Sequence, residues 1–246
     1  MSTYKKKILV APLNWGLGHA TRCIPIINGL IDNGFEPVIA SDGVALELLK
    51  KEFPNVITFE LPSYNIQYPE KGKNFKWKMI TQIPKIISAV QKEQKAIAKI
   101  LETHKFDGII SDNRLGVYSK KVPSVFITHQ LNVLTGSTSW ITTKIHSKYI
   151  QKFNECWVPD VEKSPNLSGK LGHPTELIKN VKYIGPLSRL CKKPVPIIYD
   201  LMVLLSGPEP QRTILEEKII SELENYSKKV VFIKGVVQKE QIKEQI

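Results

Sequence analysis

The chain is poor in cysteine, in acidic residues and in long apolar runs, and each shortage narrows what it does. Its three cysteines, Cys23, Cys156 and Cys191, are scattered. They have neither metal-ligand nor redox spacing, which argues against a disulfide-stapled or zinc-held fold. A reduced, cytoplasmic protein is the expectation. No apolar run approaches the ~20 residues that a membrane span needs. The start, Met1 to Lys7, lacks the apolar segment of a signal peptide. There is no Asp-x-Asp and no Cys/His cluster with ligand spacing, so no motif in the sequence points to a metal. Asp and Glu number 23 against 35 Lys and Arg, a formal charge of +12. A surplus of that size suits nucleic acid, anionic lipid or phosphorylated ligands, and also a lysine-rich composition without a role. Without a dense basic stripe or interleaved stacking aromatics, nucleic acid is set aside as a partner.

What is present is the pattern of an α/β protein. The 246 residues suffice for a sizeable core. Ile8 to Ala11 is a short apolar run of the kind buried on both faces of a parallel sheet. It leads into Asn14-Trp-Gly-Leu-Gly-His19. Apolar residues at Ala20, Cys23, Ile24, Ile27, Leu30 and Ile31 then fall at helical spacing, ended by Asn33-Gly34. Gly16 and Gly18 permit a tight turn and a close approach to a bound group. The N–H groups that open the helix suit an anionic or oxygen-rich ligand. Strands are expected at 36–40, 56–61, 106–112, 123–129, 155–158 and 182–188. Helices are expected at 44–53, 77–102 (kinked or split at Pro84), 117–121 and 136–153. Strands alternating with helices predict a doubly wound parallel sheet with right-handed crossovers. Residues 62–76 form a long polar and aromatic segment. The helix after it carries Lys78, Lys85, Lys92, Lys95 and Lys99 with Glu93 and Glu102, read as a solvated face or a face lying on anionic lipid.

The composition changes at Cys191-Lys-Lys-Pro-Val-Pro196, a linker pattern. Residues 200–205 and 229–233 read as strands around a helix at 213–226, a second α/β unit. Two strands and a helix cannot bury both sheet faces, so this unit is expected to be incomplete. The division is 1–190, a linker at 191–199, and 200–246.

Two such units, the first opening on Trp15-Gly-Leu-Gly-His-Ala-Thr-Arg22, resemble the GT-B glycosyltransferases. The likeness is greatest to the branch of the peptidoglycan-precursor N-acetylglucosaminyltransferase and related bacterial enzymes. Asp107 to Asp112, Pro123 to Gln130, Tyr183 to Ser188 and Leu204 to Arg212 resemble later segments of that family in the same order. The resemblance implies a Rossmann-like acceptor domain, a donor-binding domain and a cleft between them. It implies a nucleotide-sugar donor, a glycan or lipid-linked acceptor, and chemistry without metal or other cofactor.

For inverting transfer the candidate base is His19, because imidazole has an ordinary pKa near ~6.5. Alternatively it caps the helix or binds an acceptor phosphate. Asp112, ending the fourth strand, is the candidate orienter of His19, or an Asx-turn or N-cap residue at Asn113 to Gly116. Gly16, Gly18, Thr21, Arg22 and His129 are expected on the acceptor side, with Arg22 able to pair with a phosphate. Ser206, Gly207 and Arg212 are expected to hold the donor diphosphate. His104, His146 and His173 are placed on surfaces. Other readings are a dinucleotide-dependent oxidoreductase, in which Asp42 would bind a ribose, a non-hydrolysing sugar-nucleotide epimerase, and an inactive acceptor-binding fragment.

Overall fold

A computed structural model describes residues 4–64, 75–133, 139–174, 180–207 and 209–236. The first unit runs β1 (Lys7–Pro12), α1 (Gly18–Asp32), β2 (Glu36–Ser41), α2 (Gly43–Glu52), β3 (Thr58–Glu60), α3 (Phe75–Thr103), β4 (Gly108–Asp112), β5 (Ser124–Ile127), α4 (Ser139–Ile150), β6 (Glu155–Val158) and β7 (Val181–Tyr183). The strands make one seven-stranded sheet in the order β3-β2-β1-β4-β5-β6-β7. Every pairing in it is parallel. The order reverses between β1 and β4, which opens a crevice at the carboxyl ends of those two strands.

β1 shows why the sheet is covered on both faces. Successive side chains point to opposite sides of a strand. Val10 joins Ala20, Cys23, Ile24 and Ile27 of α1 in one buried cluster. Leu9 and Ala11 face the other way and meet Ile97 of α3, with Phe106 and Ile109. A third cluster around Phe126, Phe153 and Cys156 fills the β5–β6 end.

The second unit holds β8 (Leu201–Leu204), α5 (Gln211–Leu223) and β9 (Val230–Ile233), with β8 and β9 parallel. Residues 191–199 between the units are exposed and lack regular structure.

Several expectations need correction. Pro84 does not split α3, which is continuous over 29 residues. A proline removes one N–H and crowds one carbonyl, and one lost bond does not end so long a helix. No helix forms at 117–121. There Gln94 Nε2 donates to the carbonyls of Gly116 and Tyr118, 2.6 and 3.1 Å away, taking acceptors that a helix would use. Glu93 is not on a solvated face but fully buried. His146 is not a surface residue: its ring lies edge-on to Phe126 at 6.0 Å and its Nδ1 is buried without a partner among the described residues. His173 is half-buried, stacked on Tyr183 at 4.9 Å. The aromatic segment at 65–74 and the helix start at Gly136-Ser137 lie outside the described residues.

Candidate functional site

The β1–β4 register places Pro12 beside Asp112, and Leu13 N–H donates to the Asp112 carbonyl at 2.9 Å. Asp112 therefore ends β4 where the chain leaving β1 turns towards α1. That turn is tight: Gly16 has φ +71, in the left-handed region that favours glycine. A Cβ added at Gly16 or Gly18 would meet none of the described residues within 4 Å. Among the described residues no side chain caps the N-terminus of α1. Thr21 Oγ1 donates to Gly18 O at 3.1 Å and takes no part in the cluster described next.

His19 and Arg22, one helical turn apart, reach Asp112 together. His19 Nδ1 lies 2.8 Å from Oδ1. Arg22 Nε donates to Oδ2 at 2.8 Å, and Arg22 Nη2 donates to Oδ1. The Cys23 thiol completes the shell at 3.7 Å from Oδ2. Asp112 is fully buried, yet its carboxylate is saturated with donors. Burial alone would raise its pKa; the charges and hydrogen bonds of His19 and Arg22 overcome that and hold it below the ordinary value. Burial, reinforced by Asp112, pushes the Cys23 thiol well above its usual range, so it stays protonated.

His129 joins from the end of β5. Arg22 Nη1 lies 3.2 Å from His129 Nδ1. Burial first, then the Arg22 charge, lowers the His129 pKa. Four predicted residues, His19, Arg22, Asp112 and His129, are thus brought into one cluster at the crevice. Asp112 bonds side chains here and makes no Asx-turn among the described residues. Such a carboxylate can fix the imidazole tautomer with Nδ1–H donated inward, leaving Nε2 as a base.

A second buried cluster lies beneath the loop. Arg114 is fully buried. Its Nη2 donates to Asp42, its Nη1 to Glu93 Oε1 at 2.7 Å, and its Nε to Pro12 O at 2.8 Å. Glu93 Oε2 accepts from Tyr64 OH at 2.7 Å and from Gly116 N–H at 2.8 Å. Asp42 accepts from Asn14 Nδ2 at 3.1 Å, and Asn14 Oδ1 accepts from Ala45 N–H at 3.3 Å. Asn14 crosses so close to Gly43 that a Cβ there would lie 2.4 Å from Asn14 Nδ2. This network anchors the chain where it enters the glycine loop. It also uses the Asp42 carboxylate, so Asp42 is not available to a ribose and the dinucleotide reading loses its acid. The sequence carried one signal for it: Glu93 falls on the apolar stripe, three residues after Val90 and four before Ile97.

Ser206, Gly207 and Arg212 lie at the β8–α5 turn of the second unit. Gly207 has φ +119. Arg212 Nε donates to Glu209 Oε1 at 2.6 Å and its Nη1 to Glu216 Oε2 at 2.5 Å and to Lys234 O at 3.1 Å. Glu209 also accepts from Thr213 N–H in the first turn of α5, at 3.3 Å. An anionic ligand at this turn would compete with Glu209.

Among the described residues no group of three or more His, Cys, Asp or Glu is arranged to hold a metal ion, and no helix is long and apolar enough to cross a membrane.

No protein-family model and no curated protein matches the chain. Solved structures do. The chain superposes on Phytolacca americana UGT2, complexed with UDP-2-fluoroglucose and pterostilbene, with a TM-score of 0.58 and 14% identity. That match covers 94% of this chain and 66% of the other. A Polygonum tinctorium UDP-glucosyltransferase capable of glucosylating indoxyl matches with a TM-score of 0.53 and 11% identity, over 94% and 66% of the two chains. The glycosyltransferase of kitacinnamycin matches with a TM-score of 0.53 and 12% identity, over 93% and 65%. The chain spans no more than about two thirds of the length of these three structures. At such identities the likeness establishes architecture, and the chain has the α/β fold of the GT-B-type glycosyltransferases.

Proposed function

We propose that the chain carries the acceptor side and part of the donor side of a glycosyltransferase. Such an enzyme moves a sugar from a nucleotide-sugar donor to an acceptor hydroxyl. The observation that carries this is the His19–Asp112 pair at the mouth of the β1–β4 crevice, 2.8 Å apart, beside the glycine loop. In the proposed step the acceptor oxygen attacks the anomeric carbon while its proton passes to Nε2 of His19. The bond from the anomeric carbon to the nucleoside diphosphate breaks, and the diphosphate leaves with the electron pair. Asp112 balances the imidazolium that forms. One displacement of this kind inverts the anomeric centre. No part of the step is routed through a metal or other cofactor.

Residues 1–190 hold the acceptor in this proposal, with Gly16, Gly18, Thr21 and His129 lining it and Arg22 clamping Asp112. Residues 200–246 contribute Ser206, Gly207 and Arg212 to the donor diphosphate, with Arg212 drawn away from Glu209. The matched transferases support the general class of donor. The acceptor is a glycan or a lipid-linked glycan, and the protein is cytoplasmic. Exposed Lys85, Lys92, Lys95 and Lys99 along α3 would rest on an anionic inner membrane face. Salt-sensitive co-sedimentation with anionic vesicles tests that contact, and no sedimentation at low salt refutes it.

The transfer itself is tested by incubating the protein with UDP- and TDP-sugars and a panel of hydroxyl acceptors. The expected outcome is a glycoside of inverted anomeric configuration by NMR. A retained configuration, or an epimerised sugar nucleotide formed without acceptor, refutes it.

A further inference from the structure

The two histidines of the cluster are held from one side by a single guanidinium, and their partners differ in kind. His19 turns Nδ1 to a carboxylate oxygen, Asp112 Oδ1, at 2.8 Å. A carboxylate that is ionised only accepts, so this nitrogen carries the proton. Arg22 Nη2 stands 3.0 Å from the same nitrogen, but both are then donors, and the Nη2 hydrogen goes to Asp112 instead. His129 turns Nδ1 to Arg22 Nη1 at 3.2 Å. A guanidinium only donates, so this nitrogen is the acceptor and the proton of the neutral ring sits on Nε2. Neither Nε2 has a partner among the described residues.

We propose that Arg22 is a positioning residue that sets the tautomer of His129 opposite to the one Asp112 sets in His19, so that His19 offers a bare Nε2 and His129 an Nε2–H to the ligand in the crevice. A hydroxyl compound matches that pair: it gives its proton to one ring and accepts a hydrogen bond from the other. This assignment of the ligand rests on the proposed transferase chemistry, whereas the tautomers rest on the cluster alone. Among the described residues the charged groups beside the two rings are Arg22 from α1 and Asp112 from β4, and these two set the field. Arg22 holds three of its five N–H donors in this bridge. A lysine at that position would keep the charge but could not span Asp112 and His129 together.

The test is long-range 1H–15N correlation NMR on the histidine-labelled protein, without ligand. The neutral forms are expected to be Nδ1–H for His19 and Nε2–H for His129. The same tautomer in both rings overturns the proposal, and this result needs no variant. In Arg22→Leu the titration midpoint of His129 is expected to rise, because a neighbouring cation that disfavours its charged form is gone. Its single tautomer should give way to a mixture. In Arg22→Lys the midpoint should stay nearer the wild-type value while the mixture persists. An unchanged His129 in a folded Arg22→Leu protein also overturns the proposal. Failure of sugar transfer with opposite tautomers present would refute the transferase reading and leave the tautomer lock intact; transfer with like tautomers would do the reverse.

Discussion

Replacing Asp112 by Asn keeps the shape of the side chain and removes its charge. The carboxylate is fully buried and serves two donors of Arg22, one of His19 and the Cys23 thiol. Without it the Arg22 cation has no counter-charge. Removing one partner of a buried ion pair costs ~3–5 kcal/mol. The lower end applies, because 14% of the Arg22 side chain is accessible and can turn to water. With a urea m-value of ~2 kcal/mol/M, a loss of ~3 kcal/mol lowers the unfolding midpoint by roughly 1.5 M. The pH dependence follows from the sign of the shift. The folded carboxyl lies below its ordinary value of 3.8. Its contribution is therefore full above that value and is lost as pH falls through the lower folded one. Urea titrations of both proteins should show a gap that persists from pH 8 to 5 and closes only in stronger acid. A midpoint within ~0.3 M of wild type at pH 7 would refute the picture of a charged, compensated Asp112. So would a gap that closes between pH 8 and 5.

Arg114→Met leaves Asp42 and Glu93 buried without their cation, and should cost ~3–5 kcal/mol in urea denaturation. Adding Asp42→Asn and Glu93→Gln should recover most of that, whereas no recovery would mean that the charges are not the cause. His146→Phe removes the orphaned Nδ1 and should stabilise by ~1 kcal/mol at pH 7. Burial pushes folded His146 down to about 4 from an ordinary 6.5, so the wild type loses stability as pH falls from 6.5 towards 4 and the Phe variant should lose less. Equal pH slopes would contradict this. On the donor side, Arg212→Ala should weaken UDP binding about tenfold or more by calorimetry, the loss of one charge-assisted contact. Unchanged affinity removes Arg212 from that site.

The sheet and the His19–Asp112 pairing were legible in the sequence because they follow from local pattern plus one topological rule. Ile8 to Ala11 reads as a doubly buried strand. A doubly wound order makes β1 and β4 neighbours, which brings the ends of both strands to one crevice. The Arg114 network was not legible, because it joins loops and a helix 21 to 102 residues apart through side-chain bonds. Periodicity assigns faces to helices and says nothing of a cation arriving from elsewhere. Glu93 at an apolar-stripe position was the clue, and charge alone argued it onto the surface. His146 failed differently: its neighbours on α4 are mixed, Ile145 and Ile150 beside Thr142, Thr143 and Lys144, and only the packing of Phe126 shows the ring to be enclosed. The bridging of Asp112 and His129 by Arg22 was not legible, since a residue one turn after His19 could equally have faced solvent.

The central claim is that His19 takes the proton of an acceptor hydroxyl. Steady-state kinetics of His19→Ala, with a nucleotide sugar and an accepted hydroxyl compound, test it most directly. Turnover should fall by ~10²–10⁴ while the acceptor KM changes by less than about threefold, as expected for loss of a general base. Near-wild-type turnover, or a loss confined to KM, would contradict it.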